Sequence, residues 1–348
     1  MQTKPFKIGI IGAGRIARVH ALALRALPLL EIKAVTNRSF SNAQTFCADF
    51  NIPVCASSVQ DLCDDPQIDA VHICNVNTAH LEAIRIATKN GKAILCEKPL
   101  VHHQSVLSEL SQISTASSSL FSVCFSFRYH PTALMLMQRL PEVGKIKKVD
   151  ISYLQSSWLK KRKDAWRPDP LVYGNSYVLA DIGSHTLDMA RHLLHQQLFV
   201  EKACIHYDGK VAECSDIEAE LELLSENKIP VSVKLSKAAK GFSNRMSIRV
   251  VGEYGELGTD DVLSGKIYFS KENEKIWIQR APHLEGDVLQ FPEEHPEGWL
   301  LGFVNLFHLF YQSLGKNSPL LPLPTVKESI QISRCIGDVL EQAVWKPL

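Results

Sequence analysis

Lys7-Ile8-Gly9-Ile10-Ile11-Gly12-Ala13-Gly14-Arg15-Ile16-Ala17 lies near the start of a 348-residue chain, and its reading decides the fold. Ile8, Ile10 and Ile11 form a short apolar run that enters Gly12-x-Gly14-x-x-Ala17 directly. An Ala/Leu-rich segment, Val19 to Leu27, follows without a helix breaker until Pro28. The pattern predicts strand, tight turn, helix. Gly12 permits the turn, Gly14 lets a pyrophosphate approach bare backbone, and Ala17 lets the helix pack close to the strand. The free N–H groups at the helix start, around Arg15 and Ile16, would face the phosphates. The stretch therefore predicts a dinucleotide site.

The following segments extend that unit. Leu30 to Val35 reads as a second strand ending in Thr36-Asn37-Arg38-Ser39. This tip lies roughly 20 residues past the glycine turn, where an acidic residue would hold the ribose 2′-hydroxyl of NAD. Asn37, Arg38 and Ser39 supply no carboxylate. A guanidinium and a hydroxyl suit a 2′-phosphate, so NADP is expected over NAD. If Arg38 is only a solvated loop residue, NAD remains open. Further strands are expected near Pro53–Cys55, at Ala70–Cys74 and at Ala93–Cys96. A helix from Leu81 to Asn90, closed by Gly91, joins the last two. Such βαβ alternation predicts a doubly wound parallel sheet with ligand at the carboxyl ends of its strands. Asn75, Asn77 and His80 follow one such end and Glu97-Lys98-Pro99 another. Lys98 could reach a reacting carbon from there, with an ordinary surface lysine as the alternative, and Pro99, as a cis peptide, would fix the turn that aims it.

Composition sets the outer bounds. The length favours two domains. Hydrophobic residues make up 45% and charged residues 22%, as in ordinary globular proteins. With 38 basic and 37 acidic residues, nothing draws the chain to nucleic acid or anionic membrane. No signal peptide or membrane span is evident, and nine scattered cysteines without a CxxC pair read as reduced thiols; the cytoplasm is the expected compartment.

Beyond residue 144 the periodicity changes. Val149, Ile151 and Tyr153 alternate with polar residues, as do Val231, Val233 and Leu235, and Met246, Ile248 and Val250. This predicts an open, mostly antiparallel sheet in a second, strand-rich domain. Boundaries are expected at 1–125 for the dinucleotide domain and 126–348 for the substrate and assembly domain. The last helix, 325–343, could pack back on the first domain. A helical insertion at 176–195 carries Asp181-Ile182-Gly183-Ser184-His185-Thr186-Leu187-Asp188. A carboxylate four residues before a histidine can take the imidazole N–H and leave the other ring nitrogen free to accept a proton. The same residues could equally be an N-cap and a locally satisfied helix histidine. His185, Asp188 and His192 share a helix face, but no zinc pattern completes them, and no metal is expected. The segment 157–170 mixes cations with aromatics. Trp166, Arg167, Asp169 and Tyr173, in it and just beyond, are candidate substrate contacts, with a solvated basic turn as the alternative.

Taken in order, Gly12-x-Gly14-x-x-Ala17, Asn77-x-x-His80, Glu97-Lys98-Pro99, Arg128-Tyr129-x-Pro131 and Asp181-x-Gly183-Ser184-His185-x-x-Asp188 resemble the glucose-fructose oxidoreductase / inositol dehydrogenase / MocA family over essentially the whole length. The resemblance implies an N-terminal Rossmann domain and a C-terminal α/β domain whose open sheet forms a dimer or tetramer interface. It also implies a nicotinamide cofactor and a sugar, polyol or sugar-derivative substrate. By position, Lys98 matches the family's active-site lysine, Asp181 its aspartate and His185 its acid/base histidine, and Arg128 joins the cofactor-side residues. Asn75-Val76-Asn77 departs from the usual Thr-Pro-Asn, and Asn37 replaces a common aspartate. The implied activity is hydride transfer between nicotinamide and a secondary alcohol or ketone. The rivals are a redox-assisted, NAD-dependent glycoside hydrolase and a non-catalytic nucleotide-binding sensor.

Overall fold

A computed structural model describes residues 4–101, 104–159, 176–208, 216–272, 274–278, 298–315, 319 and 321–348. The chain divides into two compact units, one of residues 1–126 with 303–330 and the other of residues 127–302 with 331–348.

The first unit opens with β1 (Phe6–Ile11), α1 (Arg15–Arg25), β2 (Leu30–Thr36), α2 (Phe40–Asp49), β3 (Val54–Cys55) and α3 (Val59–Asp64). β4 (Ala70–Ile73), α4 (His80–Lys89), β5 (Ala93–Cys96), α5 (Leu107–Ala116) and β6 (Phe121–Val123) follow. The strands pair in the order β3-β2-β1-β4-β5-β6, and every pairing is parallel. Every residue of β4 and β5 is buried, which is why these strands read as continuous rather than alternating apolar runs. The expected doubly wound sheet is therefore present. Its strand order reverses between β1 and β4, and ligands bind such sheets at that switch point.

The second unit contains α6 (Pro131–Arg139), β7 (Ile146–Leu154), α7 (Ser184–Leu194), β8 (Leu198–Tyr207), β9 (Asp216–Ser225), β10 (Pro230–Ser236), β11 (Arg245–Gly252), β12 (Glu256–Thr259), β13 (Ile267–Lys271) and β14 (Glu274–Ile278). After α8 (Leu300–Leu314) and α9 (Val326–Gln342), β15 (Val344–Pro347) completes a nine-stranded sheet ordered β14-β13-β12-β11-β7-β10-β9-β8-β15. Only β7·β10 and β8·β15 are parallel. The alternation expected from sequence is realised: Val149, Ile151, Tyr153, Val231, Val233, Leu235, Met246, Ile248 and Val250 are all buried. Between them Asp150, Lys234 and Arg249 occupy the opposite, polar face. Ion pairs tie neighbouring strands there, Arg249 to Asp150 and Lys234 to Glu220. A broad concavity of about 850 Å³ lies on this face.

Thr325 opens α9 with a reciprocal cap. Its N–H and hydroxyl donate to Glu328 Oε2, and its Oγ1 accepts from Glu328 N–H. Among the described residues no helix is long and apolar enough to cross a membrane.

Candidate active site

The glycine turn is built as its sequence demands. Gly12 has φ +111°, and a Cβ there would lie 2.7 Å from the carbonyl carbon and oxygen of Cys74, so no other residue fits. Gly14 is the N-cap of α1 and lends that helix no side-chain cap. A Cβ on Gly14 would meet no protein atom within 4 Å. The α1 N-terminus thus has open space beside Gly14 and no side-chain cap, which fits a pyrophosphate. Arg15 is exposed and Ile16 half-buried beside it. Asn37 has a role that the sequence does not announce. Its Oδ1 accepts from Ala13 N–H at 3.3 Å and its Nδ2 donates to Ser39 O, so the amide ties the β2 tip to the glycine turn. Ser39 Oγ caps α2 by accepting from Asn42 N–H. Arg38 is exposed, and among the described residues no carboxylate pairs with it.

Lys98 is half-buried just past the end of β5, and the Lys98–Pro99 peptide is cis. Two buried side chains fix this turn. His80, at the start of α4, places Nδ1 3.1 Å from Pro99 O and Nε2 3.2 Å from Asn75 O, which joins the β4 and β5 ends. Asn75 Nδ2 in turn donates to Ala79 O, and Asn77 opens the short 3₁₀ turn between them. Glu97 Oε2 accepts the Lys98 N–H at 3.1 Å, while its Oε1 lies 2.9 Å from His20 Nε2. From His20 the bonds continue inward, Nδ1 to His72 Nδ1 at 2.8 Å and His72 Nε2 to Tyr311 OH at 2.9 Å.

His20 and His72 are wholly buried, and Phe303 and Phe307 pack on His20. Burial pushes the Glu97 carboxyl up, but the His20 bond and the charges of His20 and Lys98 outweigh it and hold the group below the usual range. Burial keeps His72 neutral and Tyr311 a phenol. An ionised carboxylate only accepts, so His20 Nε2 donates to it, and one proton is shared across the His20–His72 contact. Cys124 Sγ lies 3.8 Å from His20 Nε2. His20, Glu97 and Cys124 are the one metal-like cluster among the described residues, and hydrogen bonds already occupy them.

In the second unit, one irregular helical run carries the other candidates. Asp216 receives the Ser176 hydroxyl at 2.5 Å and the N–H groups of Tyr177 and Val178 at 2.6 and 3.0 Å, so a carboxylate caps the start of the run. Burial nonetheless pushes Asp216 up to about 6. A single π-helical turn, Leu179–Gly183, contains Asp181 and passes into α7 at Ser184. His185, 9% exposed, packs edge-on against Phe127 with ring centroids 4.9 Å apart, and the Tyr153 ring lies 6.2 Å away. Tyr153 donates to Asn244 Oδ1 at 2.8 Å; burial and the charge of Asp181 push its phenol well up. Asp181 Oδ2 lies 2.5 Å from the ammonium of Lys237.

Arg128 adds a structural finding. Its Nε donates to Asp188 Oδ2 at 2.8 Å and its Nη2 to Asp188 Oδ1, a bidentate pair with both side chains buried. Asp188 is thereby bound by a guanidinium, which removes it from the His185–Asp188–His192 metal alternative. Trp166, Arg167, Asp169 and Tyr173 lie outside the described residues.

The sequence reading passed over His20, His72, Tyr311, Asp216 and Lys237. Two carried a usable signal. His20 follows Ala17 by three residues and precedes Leu24 by four, on the apolar face of α1. Lys237 continues the inward period of Val231, Val233 and Leu235. Both were buried by pattern.

Comparison with known proteins bears on this arrangement. Residues 6–125 match the family model of an oxidoreductase NAD-binding Rossmann fold, and residues 141–343 match its C-terminal alpha/beta domain. The chain belongs to the Gfo/Idh/MocA oxidoreductase family. It is an oxidoreductase with an NAD(P)-binding domain. Glucose-6-phosphate 3-dehydrogenase of Bacillus subtilis is 29% identical over 72% of this chain and 73% of its own length. Among solved structures, levoglucosan dehydrogenase in complex with NADH and levoglucosan superposes with TM-score 0.88 at 21% identity, covering 97% of both chains. A 3-ketoreductase from Actinomadura kijaniata, solved with NADP, gives TM-score 0.79 at 19% identity over 99% of this chain and all of its own. At these identities the solved structures establish the fold alone.

Proposed function

We propose that this Gfo/Idh/MocA oxidoreductase interconverts a secondary alcohol and a ketone on a sugar, cyclic polyol or sugar derivative. The observation that carries the reading is the braced run from Ser176 to His185, in which a capped, ion-paired segment presents a barely exposed imidazole. A bound nicotinamide supplies the hydride acceptor, or in reverse the donor. In oxidation His185 takes the hydroxyl proton while the carbon–oxygen double bond forms. Asp181 supports the imidazole as it gains charge. Lys98, aimed by Glu97 and His80, donates a hydrogen bond to the reacting oxygen and stabilises negative charge developing there. In reduction the same groups return the proton.

The relatives with named substrates support a sugar ring as the partner, since one acts on glucose 6-phosphate. NADP is the preferred cofactor in this reading, because Asn37 stands where a carboxylate would select NAD and the exposed cation Arg38 follows it. The polar face of the nine-stranded sheet is assigned to self-association as a homodimer or homotetramer, measurable by light scattering.

Two measurements test the proposal. His185→Ala should lower turnover about 10²–10⁴-fold with nucleotide binding nearly intact; full activity in that variant removes His185 from the chemistry. Tryptophan fluorescence titration should show tighter binding of NADP(H) than NAD(H), with the preference lost in Arg38→Ala. An NAD preference would discard the phosphate reading of the β2 tip and leave the hydride chemistry standing.

A further inference from the structure

Lys237 follows the last residue of β10 and is wholly buried, one of the largest fully enclosed side chains in the protein. Its backbone is pinned on both sides, its N–H donating to Ile217 O at 2.8 Å and its carbonyl accepting from Trp158 N–H at 2.9 Å. The ammonium has three protons and three neighbours. Asp181 Oδ2 is 2.5 Å away, Gln155 Oε1 is 3.5 Å away, and the Tyr177 ring centroid is 4.1 Å away. The pair is lopsided. The Lys237 side chain is 0% exposed and the Asp181 side chain 28%. A molecule arriving from solvent could meet the carboxylate, never the ammonium.

That asymmetry decides what the lysine can do. A buried ammonium is costly unless it is paired, so Lys237 holds Asp181 in its ionised form and in one place. It also offsets the charge of that carboxylate. An uncompensated carboxylate next to a histidine stabilises imidazolium and keeps a base protonated at neutral pH. Among the described residues, the other groups around the segment do not supply this balance. Tyr153, from β7, is a neutral phenol bonded to Asn244, which also accepts from Gln155 Nε2 at 2.7 Å. Asp188 on α7 is matched by Arg128. Asp261 is a further carboxylate felt at Tyr153.

We infer that Lys237 is a positioning residue for the proton transfer, acting only through Asp181: it fixes the carboxylate and sets the pH at which His185 becomes a base. This rests on the proposed roles of Asp181 and His185. The nearest precedent in the chain is the Arg128–Asp188 pair, in which both partners are sealed from solvent. Of these two pairs, only Lys237–Asp181 keeps one member open.

The test compares Lys237→Met, Asp181→Asn and the double variant Lys237→Met/Asp181→Asn, with His185→Ala as reference, in the full-length enzyme with nucleotide and an active sugar. Folding is followed by thermal melting. Lys237→Met should lose about 10- to 100-fold in kcat with KM within about threefold. The acid limb of its kcat/KM profile for alcohol oxidation should move up by about one pH unit. The double variant leaves no uncompensated charge and provides a folded comparison even if the single variant unfolds. Because Lys237 acts through Asp181, the double should match Asp181→Asn within about threefold, with the same pH profile. A folded Lys237→Met with unchanged kcat and an unmoved acid limb would overturn the inference. So would a double variant more than about tenfold below Asp181→Asn. Full activity in both Asp181→Asn and His185→Ala would instead sink the underlying assignment, so the two failures read differently.

Discussion

Glu97 in the first unit and Asp188 in the second are both buried carboxylates, and they are stabilised in different ways. Asp188 is gripped by a guanidinium through two hydrogen bonds. Glu97 receives one bond from an imidazole that is itself tied to a second imidazole and a phenol. One carboxylate is clamped directly by a cation in bidentate contact, the other by a directed string of hydrogen bonds with positive charge close by. Asp216 shows that the difference is not a property of the unit. It sits in the second unit, bonded only to N–H groups and a hydroxyl, and burial raises it to about 6. Glu97 ends up lowered, helped by the charges of His20 and Lys98. Three neutral donors do not do for Asp216 what nearby positive charge does for Glu97. A buried carboxylate stays ionised most securely where a cation is close.

Breaking the charge-held pair should have the largest effect. Arg128→Met leaves Asp188 buried and uncompensated, and urea unfolding should show a loss of about 3–5 kcal/mol. A loss below 1 kcal/mol would mean that the carboxylate finds another partner or water.

Asp216 sharpens the comparison through pH. Its folded pKa is raised, from 3.8 to about 6, so the native state holds more protons than the unfolded state between these values. Stability contributed at this site is therefore full at low pH and falls as pH rises from about 4 to about 6, then is flat. The shift of roughly two units corresponds to on the order of 3 kcal/mol. Measured against Asp216→Asn, which cannot titrate, the wild-type advantage should shrink across that window. An advantage that grows with pH would reverse the sign of the shift.

The proton-held side should give way most mildly. His72→Phe keeps the shape and removes two hydrogen bonds, leaving a His20 nitrogen and the Tyr311 hydroxyl to find other partners. The expected cost is about 1–3 kcal/mol by denaturant titration. A cost equal to that of Arg128→Met would erase the distinction between the two modes.

How much of this was legible beforehand follows the range of the forces involved. The glycine turn, the parallel first sheet and the alternating strands of the second are local patterns, and each was readable from a dozen residues. Lys98, Asp181 and His185 were singled out only through the family resemblance of their motifs, since the local pattern alone fitted a surface lysine, a helix cap and a satisfied helix histidine equally well. Their supports were not. Lys237 follows Asp181 by 56 residues and Tyr311 follows His72 by 239. Such pairings come from topology, and no window of sequence contains both partners. Asn37 illustrates a subtler limit. It was read for the carboxylate it does not bring to the ribose, while its amide is taken up in bracing the glycine turn.

The hydrogen bond between His72 and Tyr311 has a consequence for synthesis. The first unit takes residues 1–126 from one end of the chain and 303–330 from near the other, with 127–302 of the second unit in between. A ribosome adding about 5–20 residues per second needs roughly 10–40 s to travel from the first piece to the second. Throughout that interval the sheet exists without Phe303, Phe307 and Tyr311, so His20 and His72 lack the cover that makes them buried. The nucleotide-binding half is begun first and finished almost last. A nascent chain halted before Phe303 would carry the glycine turn complete in sequence over an open core, the kind of surface a chaperone recognises.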